Sequence, residues 1–398
     1  MRLARSAFVA ALGAAALLLA SCAGQSAPTP ADSPADEGPL VIDSFLALSG
    51  PAAPAGEAME IGNRAAIAVL NDEGGVLGHP VELHVHDSAG SPDQLAAKLQ
   101  ELLSSGTPSA VLPGTAAEIP AGIPILANAG VFTSHHWSDA AHNDPEKYPY
   151  LFGNFITVPD YVDAFVQELR DEGHASVGVV NSDDSSGQVF QEVARDALER
   201  AGIDATFAAV PPTAVDATAQ LQQVLADDPD ALVFAGYYPA AGAVIAARAK
   251  LGVDIPTIGA QTFGANNFSA LPEADLDGIV FQHLAVNVAN TPQTESAAFK
   301  KFYDAVVAEA GGSLPFPVNT YLVAYNDVML AAYAAELAGS LDPAEMAAAI
   351  EGASAADMPN YVMPVGFSET NHFPGVTPDD FVTVPYAPVE NGMVVPQS

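Results

Sequence analysis

From Leu40 onward the chain alternates short aliphatic runs with longer segments whose apolar residues recur every three or four positions. That alternation constrains the fold more than any other feature. A strand, a helix and a second strand make a parallel pair, and parallel sheets need helices over both faces. Strands are expected at 40–48, 81–86, 110–112, 123–127, 176–180, 205–210, 231–235 and 257–259. Helices are expected at 56–71, 92–103, 161–172, 188–201, 214–226, 240–251, about 293–310 and 318–337. In the first helix Met59, Gly62, Ala66, Val69 and Leu70 form one stripe, and Gly74-Gly75 ends it. The 398 residues exceed one typical domain. The expectation is therefore an α/β protein of two doubly wound parallel-sheet lobes, with ligands beyond the carboxyl ends of the strands.

The segment before Leu40 has a different chemistry. Met1 to Arg5 carry two arginines, Ser6 to Ala20 are uncharged, and Leu19-Ala20-Ser21-Cys22 follows. This pattern predicts a secretory signal peptide over 1–21. Its apolar stretch is shorter than the roughly 20 residues that span a bilayer. Cys22 is the only cysteine, so no intramolecular disulfide can form. With small residues before it, Cys22 resembles the lipobox cysteine of bacterial lipoproteins. That resemblance implies diacylglycerol on the thiol and a membrane anchor. Residues 22–39, rich in Pro, Ala, Ser and acids, read as a flexible tether.

The net charge is −36, which argues against nucleic acid as a partner, since that role needs a basic face. No Gly-x-Ser-x-Gly elbow, His-Glu-x-x-His pair or Walker loop occurs, so neither an enzyme nor a cofactor is expected. His84 and His86 share one face of a strand, but a zinc site needs further ligands, and no metal is expected.

A set of residues recurs at family spacing: Ser49-Gly50-Pro51, Gly56, Gly62, Ala65-Ala66, Asn71, Gly74-Gly75, Gly78 and Asp87. Further on come Gly236-Tyr237-Tyr238-Pro239, Gly259, Tyr321 to Asp327, Pro364 to Phe367 and Asn371-His372. Over 40–398 the chain resembles the leucine/isoleucine/valine-type solute-binding proteins of ABC importers, whose fold is the type I periplasmic binding protein. The resemblance implies a first lobe of 40–158 plus 286–362 and a second of 159–285 plus 363–398, joined by a three-segment hinge. It also implies a small-molecule solute in the interlobe cleft, a permease and ATPase complex as partner, and a monomer. A membrane-tethered sensor that signals to a partner receptor without transport is the alternative, because one fold serves both.

Carried over residue by residue, the family's amino-acid pocket falls on Thr115, Asn128 and Asp160 in one lobe. In the other it falls on Ser186, Tyr237 and Gln261. Asp160 matches an aspartate that meets the ligand's ammonium, although it also suits a helix cap. Gln261 is neutral where the family has a second acidic anchor, and Ser186 stands at an aromatic position. A neutral polar solute, an amide or a modified amino acid therefore fits as well as leucine. Reading 123–127 as a strand leaves a shortened crossover at 114–122, too short for the usual helix, and predicts a reshaped wall. Thr133 to Trp137 would lie on a loop, with Trp137 stacked on a flat ligand or covering the lobe's edge. Asp183-Asp184-Ser185-Ser186-Gly187 falls at a ligand-facing turn of the family.

Overall fold

The computed structural model describes residues 38–396 except Ala116 and Tyr238. Cys22, the signal peptide and most of the tether lie outside the described residues. The first lobe begins with β1 (Val41–Leu46), α1 (Ala53–Asp72), β2 (Glu82–Asp87) and α2 (Pro92–Ser105). It continues through β3 (Ala110–Pro113), α3 (Ile119–Ala129), β4 (Phe132–His135) and β5 (Leu151–Gly153). These strands pair in parallel in the order β2-β1-β3-β4-β5.

The second lobe repeats the plan. Its elements are α4 (Val158–Asp171), β6 (Ser176–Ser182), α5 (Ser185–Ala201), β7 (Asp204–Val210) and α6 (Thr218–Leu225). They are followed by β8 (Ala231–Phe234), α7 (Ala240–Leu251), β9 (Thr257–Gly259), α8 (Gln261–Gly264), α9 (Glu273–Leu276) and β10 (Ile279–Leu284). The chain then returns to the first lobe with α10 (Ala297–Glu309), α11 (Val318–Ala338) and α12 (Pro343–Glu351). β11 (Phe381–Pro385) adds antiparallel to β10, giving the order β11-β10-β9-β8-β6-β7. A short hairpin, β12 (Val389–Glu390) and β13 (Met393–Val394), binds the α10–α11 connection through Val318 N–H to Gly392 O at 2.8 Å.

Both sheets are covered on two faces, as parallel strands require. In the first, Phe45 and Val111 point toward α2 and α3, meeting Leu95, Leu99 and Leu126. Ile42, Ala110 and Leu112, of opposite parity, point toward α1 and α11. α11 is apolar nearly all round and buries Tyr321, Tyr325, Val328 and Met329 completely.

Two expectations change here. Residues 123–127 are helical: Ile119, Gly122, Ile123 and Leu126 form the buried stripe of α3, and the fourth strand is Phe132–His135. The crossover helix is therefore retained, as Ile119–Ala129, and the shortened crossover expected at 114–122 is not found. A short apolar run with two prolines does not distinguish helix from strand by periodicity. What ends the helix is Gly130, with φ 70°, the left-handed cap position. The tail is also divided between the lobes. Gly153 N–H donates to His372 O at 2.8 Å on the first sheet, whereas β11 joins the second.

The α1–α11 contact depends on Gly62. A Cβ there would lie 2.3 Å from the Tyr321 carbonyl oxygen. Gly62→Ala should cost about 1–3 kcal/mol through the forced separation of the two helices. Urea denaturation of the variant checks this, and an unchanged midpoint would refute the contact's importance.

Candidate functional site

The carboxyl edges of the two sheets enclose a cavity of about 630 Å³, inside the roughly 300–1,000 Å³ range of small-molecule sites. From the first lobe come Thr115 after β3, His136 to Asp139 after β4, Phe155 and Ile156 after β5, and Ala55 and Met59 on α1. Asn319, Thr320 and Val323 of α11 complete that wall. From the second lobe come Ser182 and the start of α5, Ala235 to Tyr237 after β8, and Gln261 and Thr262 after β9. Tyr161 and Phe190 close its floor, their rings stacked 6.1 Å apart.

Of the six residues expected to meet ligand, Thr115, Ser186, Tyr237 and Gln261 line this cavity. Tyr237 is 53% exposed, so its ring is available within the cleft. Thr115 donates its hydroxyl to Glu118 at 2.6 Å, leaving its oxygen lone pairs to accept. The other two are not cavity residues. Asn128 lies exposed near the end of α3, because the loop after the fourth strand starts at His136. Asp160 is the third helical residue of α4 in a capping box, accepting from Thr157 N–H at 2.6 Å and its hydroxyl at 2.9 Å. Burial pushes its carboxyl up, and those two bonds pull it back.

The loop after β4 supplies residues that the displaced strand assignment obscured. His135 is fully buried, and its Nδ1 accepts Trp137 N–H at 3.1 Å. Trp137 packs against Ile119, Ile123 and Leu151 and also lines the cavity. His136 faces Asp327 Oδ2 at 3.1 Å, and Asp327 also accepts from Ser134 Oγ at 2.7 Å and from Asn154 Nδ2. Thus α11 holds the cavity loop through one buried carboxylate. In the second lobe Asp184 caps α5, accepting Gly187 N–H at 2.8 Å and the Ser182 hydroxyl at 2.8 Å. Gly187 permits this turn, since a Cβ there would lie 1.8 Å from Ser182 O. Asp184 belongs to the 183–187 turn expected to face ligand, whereas Thr262, Asn319 and Thr320 had not been anticipated.

His84 and His86 lie 3.6 Å and 2.7 Å from Asp43 Oδ1, and no metal-binding cluster occurs among the described residues.

The periplasmic binding protein family's sequence pattern matches residues 44–384, and the chain belongs to that family. The Leu/Ile/Val-binding protein BraC3 of Rhizobium johnstonii is 25% identical over 338 residues, 83% of this chain and 88% of that one. Among solved structures, a branched-chain amino acid ABC transporter ligand-binding protein from Burkholderia xenovorans superposes with a TM-score of 0.69 at 16% identity. That match covers 82% of this chain and 86% of the other. A solute-binding protein of R. palustris in complex with 4-hydroxybenzoate gives 0.64 at 18% identity, covering 90% and 95%. The fold is that of the type I periplasmic binding proteins, and the resemblance read from the sequence holds.

Buried His135 and half-buried His283 contribute to the response to acid. Burial pushes His283 down to about 4 and His135 well below the usual 6.5. The unfolded chain takes up these protons near pH 6.5, while the native protein does not. Stability present above that pH is therefore lost as pH falls toward about 4. The urea midpoint should drop across this window, and His283→Asn should lose less on acidification than the parent chain. Equal losses would show that His283 does not contribute.

Proposed function

We propose that this chain is the extracytoplasmic solute-binding lipoprotein of an ABC importer. It acts as a monomer, taking a small organic solute (an amino acid, an amide or a related compound) into the interlobe cleft and presenting the closed form to the permease. The observation that carries this reading is the cavity between two carboxyl edges, with apolar surface from Met59, Trp137, Phe155, Tyr161, Val189 and Phe190. Around it stand the polar groups of Thr115, Ser186, Tyr237, Gln261, Thr262, Asn319 and Thr320. An apolar body with a few convergent polar groups is how small-molecule sites are built. Walls on separate lobes couple ligand contacts to closure, because only the closed state makes both sets. The Leu/Ile/Val-binding relative and the solved amino-acid and aromatic-acid binders support the solute class.

Trp137 is the chain's only tryptophan and lines the cavity, so its emission reports occupancy without a label. Titrating the purified chain with a broad panel of amino acids, amides and aromatic compounds should give a saturable change for at least one. Tyr237→Ala should weaken that ligand by roughly tenfold, the loss of about 1.4 kcal/mol. A flat response across the panel would sink the reading.

Anchoring through Cys22 predicts that the protein sediments with membranes, and that Cys22→Ser moves it to the soluble fraction. Persistence of the variant in washed membranes would exclude the diacylglycerol anchor.

A further inference from the structure

Resting on that reading of the cavity, we infer that His136 is the anchor for the solute's carboxylate, and that the cleft takes up a proton on this ring when the carboxylate binds. Asp327 acts behind it as the positioning residue. Among the described residues no lysine or arginine lines the cavity, and His136 is its single basic side chain. The imidazole is only 9% exposed, and its Nδ1 faces Asp327 Oδ2 at 3.1 Å. Nε2 makes no hydrogen bond among the described residues and is not one of the fully enclosed side-chain atoms. That nitrogen therefore opens on the cavity that the ring lines.

Asp327 is 2% exposed, and its Oδ1 is filled by Ser134 Oγ and Asn154 Nδ2. An ionised carboxylate can only accept, so it fixes Nδ1 as a protonated nitrogen of His136. In the neutral ring Nε2 then carries a lone pair, and in the imidazolium it is a donor. With a neutral ring, a solute carboxylate would enter beside the charge of Asp327 and meet that lone pair, an uncompensated burial that is costly. With a proton on Nε2 the His136–Asp327 pair is neutral and offers the incoming oxygen a charge-assisted hydrogen bond. Carboxylate binding and proton uptake are thus one event.

The titratable neighbours leave this role to His136. Burial holds His135, the preceding residue on β4, well below 6.5, and its Nδ1 is committed to Trp137 N–H. Tyr361, whose hydroxyl feels Asp327, is pushed up by burial and stays protonated. Asp139 and Asp184 in the lining add negative charge, which favours the imidazolium. A site that gains a proton on binding holds its ligand more tightly at lower pH.

L-Leucine, phenylacetate and 4-hydroxybenzoate each carry the carboxylate. Calorimetry of the purified chain in HEPES and in Tris near neutral pH should reveal an uptake of roughly 0.5–1 proton with any probe that binds. Its affinity, followed by Trp137 emission, should fall roughly tenfold or more between about pH 6.5 and 8.5. His136→Gln keeps an amide at this place that does not titrate; it should abolish the proton uptake and flatten the pH profile. Asp327→Asn puts an N–H donor against Nδ1, which moves the ring proton to Nε2, so this variant should bind the carboxylate without taking up a proton. A merely structural role for Asp327 would instead lower affinity equally at every pH and leave the uptake in place. If circular dichroism shows a variant unfolded, the two-buffer comparison on the parent chain decides alone. Saturable binding with no proton uptake overturns the inference. So does a folded His136→Gln variant that keeps the parent's pH profile, or failure of all three probes to saturate. The receptor reading is judged separately: a panel ligand without a carboxylate removes the anchor and leaves the solute-binding role intact, whereas a flat panel removes both.

Discussion

Parallel pairing in both sheets sends each strand's carboxyl end to one edge, and the crossover helices start from that same edge. The cavity depends on this polarity. In the order β2-β1-β3-β4-β5 and its counterpart β7-β6-β8-β9-β10, the loops after the third and fourth strands of each lobe reach the cleft. The first helices of both halves, α1 and α5, also present their opening turns there through Ala55 and Ser185 to Gly187. Backbone direction alone thus gathers residues from all along the chain.

Holding those loops still is a separate problem, and α11 solves it for the first lobe. Its close approach to α1 at Gly62 brings Asp327 beneath β4 and β5. A buried carboxylate is costly unless several donors meet it. Ser134, Asn154 and His136 all face it, and the last of these opens the loop carrying Trp137. The neutral imidazole of His135 then accepts the Trp137 backbone N–H. A loop ordered in this way before the solute arrives loses less conformational freedom on binding.

The architecture was legible in the sequence because strand and helix periods differ and most segments are long enough to show which is present. The region 114–135 was not, and the reason is local. Ile119 to Leu126 is apolar, carries Pro120 and Pro124, and packs its helical stripe against Leu95 and Val111, which lie far off in sequence. Moving the fourth strand to Phe132–His135 displaced the following loop as well, so Asn128 was chosen where His136 to Asp139 belong. Tyr237, Thr115, Ser186 and Gln261 follow strands whose ends were correctly read, and they do line the cavity. Asp160 shows the limit of carrying a residue across by spacing. The same carboxylate suits an ammonium or a capping box, and Thr157 three residues earlier decides between them.

The capping acids connect the stability of the elements to the chemistry of the cleft. A carboxylate on the first turn of a helix contributes roughly 0.3–1 kcal/mol through the dipole, and a cap of this kind about 1 kcal/mol. Asp160 and Asp184 therefore stabilise α4 and α5 whether or not solute is present. On α5 the cap takes the Gly187 N–H, and on α4 the Asp160 carboxylate satisfies the N–H and hydroxyl of Thr157. What remains to attract the solute is apolar surface on both lobes, the His136 ring, and hydroxyl and amide groups that accept as readily as they donate.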